Sequence, residues 1–332
     1  MTGQEPLRTA MVAGGAGFVG SHLCDALLGL GMRVICVDNF HTGRTQNVAP
    51  LCNDRRFRLI EADVMTDRLP DDHVDWVFNL ASPASPPHYQ ADPVRTMMTN
   101  VLGTRNLLDL ADRNGARYLQ ASTSEVYGDP ETHPQREDYW GNVNPIGTRA
   151  CYDEGKRAAE SLCYDHLRTG RMDVRVARIF NTYGPRMRPD DGRIVSNLLV
   201  QALENQPLTI YGDGTQTRSF CYVSDLVRGL IALMSVAATP AGPVNLGNPH
   251  EVTILELAQV VRDTVSTTSR IEMHDLPQDD PRRRKPDTTR ARELLGWEPT
   301  VPLRQGIAWT AAWFALPENR DCTTRDRTRA AE

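Results

Sequence analysis

The chain has 332 residues, of which 40% are hydrophobic and 24% charged, and its formal net charge is −5 at pH 7. This composition is typical of a soluble globular protein, and the length suits two domains or one large α/β domain with an added lobe. The acidic balance argues against nucleic acid as a partner, and no apolar run approaches the roughly 20 residues that cross a bilayer. The N-terminus lacks the features of a signal peptide, and the seven cysteines are scattered without a Cys-x-x-Cys motif. We therefore predict a cytoplasmic protein with no membrane attachment, no structural zinc and no disulfides.

Strands alternate with helices through the first half of the chain. Short, almost continuously apolar segments predict buried strands, and the longer segments between them predict helices. The predicted strands cover 11–13, 33–37, 57–60, 76–80, 118–122 and 174–178, and predicted helices cover 21–30, 99–114, 254–265 and 288–295. This order predicts a doubly wound parallel sheet with a smaller C-terminal lobe. We expect the first domain over 9–185, mainly the nucleotide-sugar-binding lobe over 186–316 and a disordered tail over 317–332.

A glycine-rich turn connects the first predicted strand to the first predicted helix. The segment 15–20 has the spacing G-x-G-x-x-G, and Gly14 adds a second register. Glycine permits a tight turn and a close approach of the backbone to a pyrophosphate, which the helix N-terminus then stabilises. Asp38 ends the second strand, where a carboxylate binds ribose hydroxyls and favours NAD over NADP, although Arg44 nearby tempers this preference. The pair 63–64 ends the third strand, beside the expected adenine. The turn predicts a Rossmann-type domain that binds NAD.

Tyr152 and Lys156 form a Tyr-x-x-x-Lys pair, and Lys156 is one of two lysines among 37 basic residues. Four residues apart on a helix, the two side chains face the same side. An ammonium group beside a phenol lowers the phenol pKa, which predicts a base that takes a proton from a sugar hydroxyl near neutral pH. The strand that ends near Ser122 would bring Thr123 to the same sheet edge, where it hydrogen-bonds the same oxygen. The alternative, an ordinary pair on a helix surface, is disfavoured by the nucleotide motif.

From about residue 9 to 315 the chain resembles the extended short-chain dehydrogenase/reductase family of nucleotide-sugar enzymes. The resemblance is carried by the stretches 38–40, 81–89, 122–130, 139–147, 178–187 and 283–287. The stretches Ser-Pro-Ala-Ser-Pro-Pro and Tyr-Trp-Gly-Asn-Val-Asn-Pro are typical of the members that decarboxylate UDP-glucuronate. The resemblance implies a UDP-sugar substrate and a homodimer formed by packing the helices around 99–113 and 152–168 into a four-helix bundle. Residues suited to that face, and equally to the core, are Val101, Leu102, Leu107, Leu108 and Leu110.

The same resemblance implies which residues bind the ligands. The implied cofactor-binding residues, which include Tyr152 and Lys156, are Gly14, Gly17, Phe18, Val19, Gly20, Asp38, Asn39, Phe40, Thr42, Gly43, Asp63, Val64, Leu80, Ala81, Ser82, Thr99, Ala121 and Thr182. The implied substrate-binding residues are Pro83, Ser124, Glu125, Asn181, Arg186, Arg193, Tyr211, Arg218 and Arg284. Arginine suits this substrate because it binds phosphate and carboxylate groups bidentately. The basic run 282–285 is flanked by acidic residues, so a nucleic-acid patch is disfavoured.

The triplet Thr123-Ser124-Glu125 separates the possible reactions. Dehydratases that resemble this chain carry Asp at the middle position, because expelling a C6 hydroxyl needs an acid, and the 4-epimerases usually lack the carboxylate of Glu125. The triplet therefore suits a substrate whose C6 is already a carboxylate, which is lost as CO₂ after oxidation at C4 and before reduction to UDP-xylose. Glu125 is predicted to relay a proton to C5 or to position the sugar carboxylate. The alternative is a structural carboxylate that caps a helix.

Three alternatives stay open at this point. Met98 lies where relatives often carry lysine, and an uncharged residue near the sugar would hold a carboxylate or an intermediate less firmly. The enzyme could therefore release a 4-keto pentose instead of completing the reduction. A 4-epimerase or 4,6-dehydratase on the same scaffold is the second alternative. The third is a non-catalytic NAD-binding regulator, against which the intact set of Thr123, Tyr152 and Lys156 argues.

Overall fold

The structure is a computed structural model that describes residues 7–275 and 283–320. Its strands follow the apolar segments of the sequence to within one or two residues in the first half of the chain. The strands are β1 (Thr9–Ala13), β2 (Arg33–Asp38), β3 (Phe57–Glu61), β4 (Trp76–Asn79), β5 (Arg117–Thr123), β6 (Val174–Ile179), β7 (Thr182–Tyr183), β8 (Leu208–Tyr211), β9 (Thr217–Ser219), β10 (Cys221–Tyr222), β11 (Val244–Leu246), β12 (Glu251–Thr253), β13 (Ile271–His274) and β14 (Arg283–Arg284).

Helices cover both faces of the main sheet and alternate with short strands in the C-terminal part. They are α1 (Phe18–Gly29), α2 (Thr45–Val48), α3 (Pro86–Ala91), α4 (Pro93–Met98), α5 (Thr104–Asn114), α6 (Ala150–Arg168), α7 (Ile194–Leu203), α8 (Val223–Ser235), α9 (Ile254–Val265), α10 (Thr289–Leu295), α11 (Leu303–Ala315) and α12 (Pro317–Arg320). The helix predicted over 99–114 is divided, because Thr99–Gly103 is a π-helical segment. Such segments occur frequently at functional sites. In the described ranges, no helix is long and apolar enough to span a membrane.

Seven parallel strands form the main sheet in the order β11-β6-β5-β4-β1-β2-β3. The chain moves outward from β1 to β3 in one direction, and then from β4 through β6 to β11 in the other. The strand order therefore reverses between β1 and β4, and ligands of such sheets bind in the crevice at the carboxyl ends of the strands next to that point. The predicted doubly wound parallel α/β fold is confirmed.

Side chains of the main sheet alternate between two separate cores. In β1, Ala10 and Val12 belong to the core shared with α1 and α8, whereas Met11 and Ala13 belong to the core shared with α5 and α6. This alternation follows from the two-residue period of a strand. Three residues considered for a dimer face, Leu107, Leu108 and Leu110, are buried in the second core, and Val101 and Leu102 are half-buried.

The chain beyond residue 185 does not form the second lobe alone. Strand β11 returns to the main sheet beside β6, and α8 packs on the same sheet. The lobe itself contains two small sheets, β8 with β13 and β9 between β12 and β14. Of the tail predicted to be disordered over 317–332, the first four residues form α12 and Asn319 is buried. Residues 321–332 lie outside the described residues.

Candidate active site

A cavity of about 610 Å³ opens at the carboxyl edge of the main sheet, in the size range of ligand-binding sites. It is lined by the residue that ends or follows each of five strands, namely Gly14, Asp38, Leu80, Thr123 and Ile179. Most of the residues predicted to bind ligands also line it. They are Gly14, Gly17, Phe18, Val19, Gly20, Asp38, Asn39, Thr42, Val64, Leu80, Ala81, Ser82, Pro83, Thr99, Ala121, Thr123, Ser124, Glu125, Tyr152, Lys156, Asn181, Thr182, Arg193, Tyr211, Arg218 and Arg284.

The glycine turn forms a groove of backbone atoms at one end of the cavity. Gly14 has a φ of +75°, and a Cβ built on it would lie 2.7 Å from the carbonyl carbon of Leu80. A Cβ on Gly20 would lie 2.1 Å from the Gly14 oxygen, so α1 packs closely against the turn because this residue has no side chain. Gly17 precedes α1, whose first amide groups have no partner within the helix. A pyrophosphate fits this groove because Gly17 has no side chain. A side chain at this position would occupy part of the groove.

The carboxylate of Asp38 connects the glycine turn to the loop after β2. It accepts hydrogen bonds from the backbone NH groups of Ala16 and Phe40, each at 2.9 Å. A Cβ on Gly43 would lie 2.6 Å from Asp38 Oδ1, so the loop after β2 can pass closely over the carboxylate. Phe40 and Gly43 are not among the residues that line the cavity, and they shape this loop instead. Burial raises the pKa of Asp38, and these amide hydrogen bonds oppose the increase.

Asp63 also lies behind the cavity surface. Its carboxylate accepts hydrogen bonds from Asn39 Nδ2 at 3.0 Å and from Arg95 Nη2 at 2.6 Å. Asn39 and Val64, on either side of it, line the cavity. Asp63 therefore acts on this site by orienting Asn39.

The three residues predicted to perform proton transfer lie together at the end of β5 and on α6. Tyr152 is 6% exposed, and its ring stacks on the ring of Tyr89 at 5.1 Å between centroids. Lys156 Nζ lies 5.8 Å from the Tyr152 ring centroid and donates to the carbonyl oxygen of Ala121 at 2.9 Å. Thr123 hydrogen-bonds Tyr152. The helical spacing thus brings the phenol and the ammonium to one side of α6, facing Thr123.

The pKa values differ from the sequence-based expectation. Burial raises the pKa of Tyr152 above its ordinary range, and the Thr123 hydrogen bond and the charge of Arg193 oppose this only in part. Burial lowers the pKa of Lys156 to about 8, and the charge of Glu160 opposes this decrease. The predicted lowering of the phenol pKa by Lys156 is therefore not found, because desolvation dominates for both groups.

Glu125 lies two residues after Thr123 and is held by two arginines. Arg284 donates to it through Nη1 and through Nη2, the latter at 2.8 Å to Oε2, and Arg149 Nη2 donates to Oε1 at 3.1 Å. Burial alone would raise the pKa of Glu125, but the charges of Arg284, Arg149 and Arg218 outweigh it and hold this pKa below its usual range. Arg218 and Arg284 are neighbours because β9 and β14 pair at these positions. Glu125 is thus an ionised group within a cluster of positive charge.

The cavity is also lined by residues missing from the sequence-based prediction, among them Arg149, which binds Glu125, and Tyr89, which stacks on Tyr152. Arg149 lies three residues before Tyr152, a helical spacing that indicates a shared face and could have identified it. Tyr89 lies in the 81–89 stretch, and its hydroxyl is buried without a hydrogen-bond partner among the described residues. Both line the cavity.

Two predicted contributions lie elsewhere. Arg186 was expected to contact substrate, but its side chain pairs with Asp25 at 3.0 Å and does not line the cavity. Met98 was expected near the sugar, but it is half-buried at the end of α4, and its neighbour Thr99 lines the cavity in its place. In the part of the chain that the structure describes, no cluster of three or more His, Cys, Asp or Glu residues could hold a metal ion.

A doubly wound sheet, a glycine groove with a carboxylate at the end of β2 and a Tyr-Lys pair define a dinucleotide-dependent enzyme of the short-chain dehydrogenase type. The family model described as "NAD dependent epimerase/dehydratase family" matches residues 10–247. The chain belongs to this family.

Individual relatives narrow the comparison. UDP-glucuronic acid decarboxylase 4 of Arabidopsis thaliana is 59% identical over 90% of this chain, which spans 66% of that relative's length. UDP-glucuronic acid decarboxylase 1 of Danio rerio is 55% identical over 94% of this chain and 74% of its own length. Among solved structures, UDP-glucuronic acid 4-epimerase from Bacillus cereus, in complex with UDP-glucuronic acid and NAD, superimposes with a TM-score of 0.84 at 29% identity. That alignment covers 92% of this chain and 98% of the epimerase. The resemblance drawn from the sequence and the assignment to an NAD-dependent family are confirmed.

Proposed function

We propose that the protein catalyses NAD-dependent decarboxylation of UDP-glucuronate to UDP-xylose and CO₂. The observation that carries this proposal is the Glu125 cluster, which places Arg149 and Arg284 beside Thr123 and Tyr152 in the cavity. Positive charge in this position suits a substrate that carries a sugar carboxylate at the reacting end. The decarboxylase relatives at 55–59% identity support the same assignment.

The dinucleotide would occupy the end of the cavity formed by the glycine turn. The first turn of α1 would bind its pyrophosphate and Asp38 its ribose hydroxyls, which favours NAD because a 2′-phosphate would meet a negative charge. The chemistry supplied by bound NAD is the acceptance of a hydride from C4 of the sugar and its later return. Lys156, close to the catalytic tyrosine, would hydrogen-bond the adjoining ribose.

Tyr152 would take the proton from the sugar O4 hydroxyl. Its raised pKa means that the phenol is neutral near neutral pH, so ionisation has to be assisted by nearby positive charge. Arg193 already favours tyrosinate, and Lys156 lies close enough to assist once its ammonium turns from the Ala121 carbonyl. Thr123, hydrogen-bonded to the phenol, would donate to O4 as negative charge develops there.

Oxidation at C4 makes the C6 carboxylate that of a β-keto acid. The C5–C6 bond then breaks, CO₂ leaves, and the electron pair forms an enolate whose oxygen is stabilised by Thr123 and Tyr152. Arg149 and Tyr89 are suited to the departing carboxylate, because the first is cationic and the second has a buried hydroxyl without a partner among the described residues. Ionised Glu125 has no proton to give, so its role would be to position the two arginines. The enolate would take a proton from water at C5, and Tyr152 would return its proton to O4 as the 4-ketone is reduced.

The first alternative is epimerisation at C4 of the same substrate, since the Bacillus cereus neighbour is a UDP-glucuronic acid 4-epimerase. Its 29% identity is far below that of the decarboxylases. Ser124 argues against a dehydratase, because a hydroxyl is a weak acid for expelling a C6 hydroxyl. A non-catalytic regulator would not require Thr123, Tyr152 and Lys156 to be placed together.

The sequence-based predictions of a homodimer with a four-helix bundle and of a cytoplasmic location form part of this proposal. The bundle rests on resemblance, and its face is reduced to Val101 and Leu102 because the three leucines belong to the core. The location rests on the scattered cysteines, of which those in the described residues are free.

Purified protein incubated with UDP-glucuronate, with and without added NAD, tests the proposal by mass spectrometry and proton NMR of the products. We expect UDP-xylose without net formation of NADH. A 4-keto pentose with equimolar NADH would keep the decarboxylation and remove the final reduction. UDP-galacturonate as the product, or unchanged UDP-glucuronate, would contradict the proposed function.

A further inference from the structure

A second buried carboxylate lies one helical turn beyond Lys156 on α6. Glu160 accepts hydrogen bonds at Oε1 from Ser122 Oγ at 2.6 Å and from Arg178 Nε at 2.9 Å, and at Oε2 from Arg178 Nη2 at 2.7 Å. The side chains of Glu160 and Arg178 are 10% and 12% exposed, and neither lines the cavity. The proton transfers described above do not use this pair.

Two hydrogen bonds connect α6 with the last residues of β5. Lys156 Nζ binds the Ala121 carbonyl at 2.9 Å, and Glu160 accepts from the hydroxyl of Ser122 at 2.6 Å. Thr123 is the next residue of the strand. The position of Thr123 relative to Lys156 is therefore determined by contacts to both Lys156 and Glu160.

The pair is anchored beyond α6 as well. Arg178 Nη1 donates to the Tyr127 hydroxyl at 3.0 Å, and that hydroxyl donates to Asn245 Oδ1 at 2.8 Å. Asn245 Nδ2 donates to the backbone oxygen of Asp287 at 3.1 Å. Because each group in this chain has a partner, Glu160 is held in one place.

We propose that Glu160 is a positioning residue for proton transfer at Tyr152, with a carboxylate that fixes the end of β5 against α6 and keeps Lys156 protonated by its negative charge. The effect on turnover rests on the proposed function. The effect on Lys156 is independent of it.

Of the two groups that favour protonated Lys156, Cys163 and Glu160, only Glu160 carries a negative charge. Cys163 is a neutral thiol, because burial raises its pKa far above the ordinary value. Burial likewise raises the pKa of Tyr164, and it raises that of Tyr127 to about 12, so both phenols are neutral. Arg178 is the opposing cation. Lys156, lowered by burial to a pKa of about 8, would lose its proton more readily without the Glu160 charge.

Lysine-selective NMR tests this directly, because the chain has two lysines, Lys156 and Lys285. Protein labelled with ¹³C at lysine Cε is titrated, and Lys285→Arg assigns the two signals. In Glu160→Gln we expect the pKa of Lys156 to fall from about 8 to about 7 or lower, the size expected for removing a nearby opposite charge. Glu154→Gln, in the same helix and paired with Arg157 at 3.4 Å, is the control and leaves the titration unchanged. An unchanged Lys156 titration in folded Glu160→Gln overturns the proposal.

Glu160→Asp and Ser122→Ala test positioning even if Glu160→Gln does not fold, since both keep a charge opposite Arg178. For both variants we expect the pKa of Lys156 to stay near 8 and kcat for UDP-glucuronate to fall by about tenfold, with unchanged NAD affinity. Wild-type kcat in both variants would overturn the positioning role. If the wild-type protein leaves UDP-glucuronate unchanged, the proposed function fails, whereas the NMR titration still decides whether Glu160 controls Lys156.

Discussion

Two buried carboxylates near the catalytic pair are held by arginine, and they differ in what else can reach them. Glu125 and its partners Arg149 and Arg284 line the cavity, whereas Glu160 and Arg178 lie behind the end of β5 without contributing to its surface. An ion pair that lines a cavity can exchange one partner for an anionic ligand. Glu160 and Arg178 are sealed from ligands behind the cavity wall and cannot do so. The same pairing of charges therefore suits substrate recognition in the first place and rigid positioning in the second.

Substitution of Tyr152 has the largest expected effect on catalysis. Tyr152→Phe keeps the ring that stacks on Tyr89 and removes the proton acceptor, so we expect kcat to fall by about 10³-fold with unchanged thermal stability. The measurement is UDP-xylose formation followed by proton NMR. Tyr164→Phe is the matched control in the same helix, because its hydroxyl has no partner among the described residues. Activity of Tyr152→Phe within tenfold of the wild type would exclude Tyr152 as the base.

Replacing each glutamate by glutamine tests the comparison between Glu125 and Glu160. We expect Glu160→Gln to lose about 3–5 kcal/mol of unfolding free energy, because it leaves Arg178 buried without its counter-charge. Glu125→Gln should lose less, since water and dissolved anions reach Arg149 and Arg284 through the cavity. Chemical denaturation of the two variants measures the difference.

The response of Tm to phosphate also distinguishes Glu125→Gln from Glu160→Gln. At matched ionic strength, millimolar phosphate should raise the Tm of Glu125→Gln more than that of the wild type, and should have no selective effect on Glu160→Gln. Equal losses of stability and equal responses to phosphate would contradict the distinction between an accessible and a sealed cluster.

The contrast also explains which features the sequence could predict. Buried parallel strands are apolar on both faces, so their positions followed from composition, and the sheet edge then brought Thr123 close to Tyr152 and Lys156. The pairing of Glu125 with Arg284 joins residues 159 positions apart and depends on how the lobe folds back over the sheet. No local pattern encodes that contact.

Two further differences between the sequence-based predictions and the structure also arise from the three-dimensional fold. Arg186 belongs to a stretch that resembles the family, yet its side chain pairs with Asp25 of α1, a partner that only the three-dimensional structure identifies. The pKa of Tyr152 was predicted from its nearest cation, whereas burial, which a sequence reveals poorly, determines its direction.

Asp153 is a buried carboxyl group near Glu125, and it is expected to make stability depend on pH. Burial, and next the charge of Glu125, raise its pKa from 3.8 to about 7, and its Oδ1 has no partner among the described residues. Since the folded pKa exceeds the unfolded one, stability present in acid is lost as the pH rises towards and through 7. We expect the stability of Asp153→Asn relative to the wild type to increase by about 2 kcal/mol between pH 5 and pH 8, measured by denaturant unfolding. The exposed Asp165→Asn is the control, and a pH-independent difference for Asp153→Asn would contradict the expectation.

Met98 lies outside both clusters, and it has the smallest expected effect. The sequence suggested that lysine at this position would grip the sugar and favour complete reduction, but Met98 is half-buried at the end of α4 while Thr99 lines the cavity. We therefore expect Met98→Lys to leave the ratio of UDP-xylose to 4-keto pentose within about twofold of the wild type, since product partition follows groups that contact the sugar. Met97→Lys controls for the general cost of a charge next to α6. A shift towards UDP-xylose in Met98→Lys alone would mean that a lysine here reaches the sugar, and that the cationic part of the site extends beyond the Glu125 cluster.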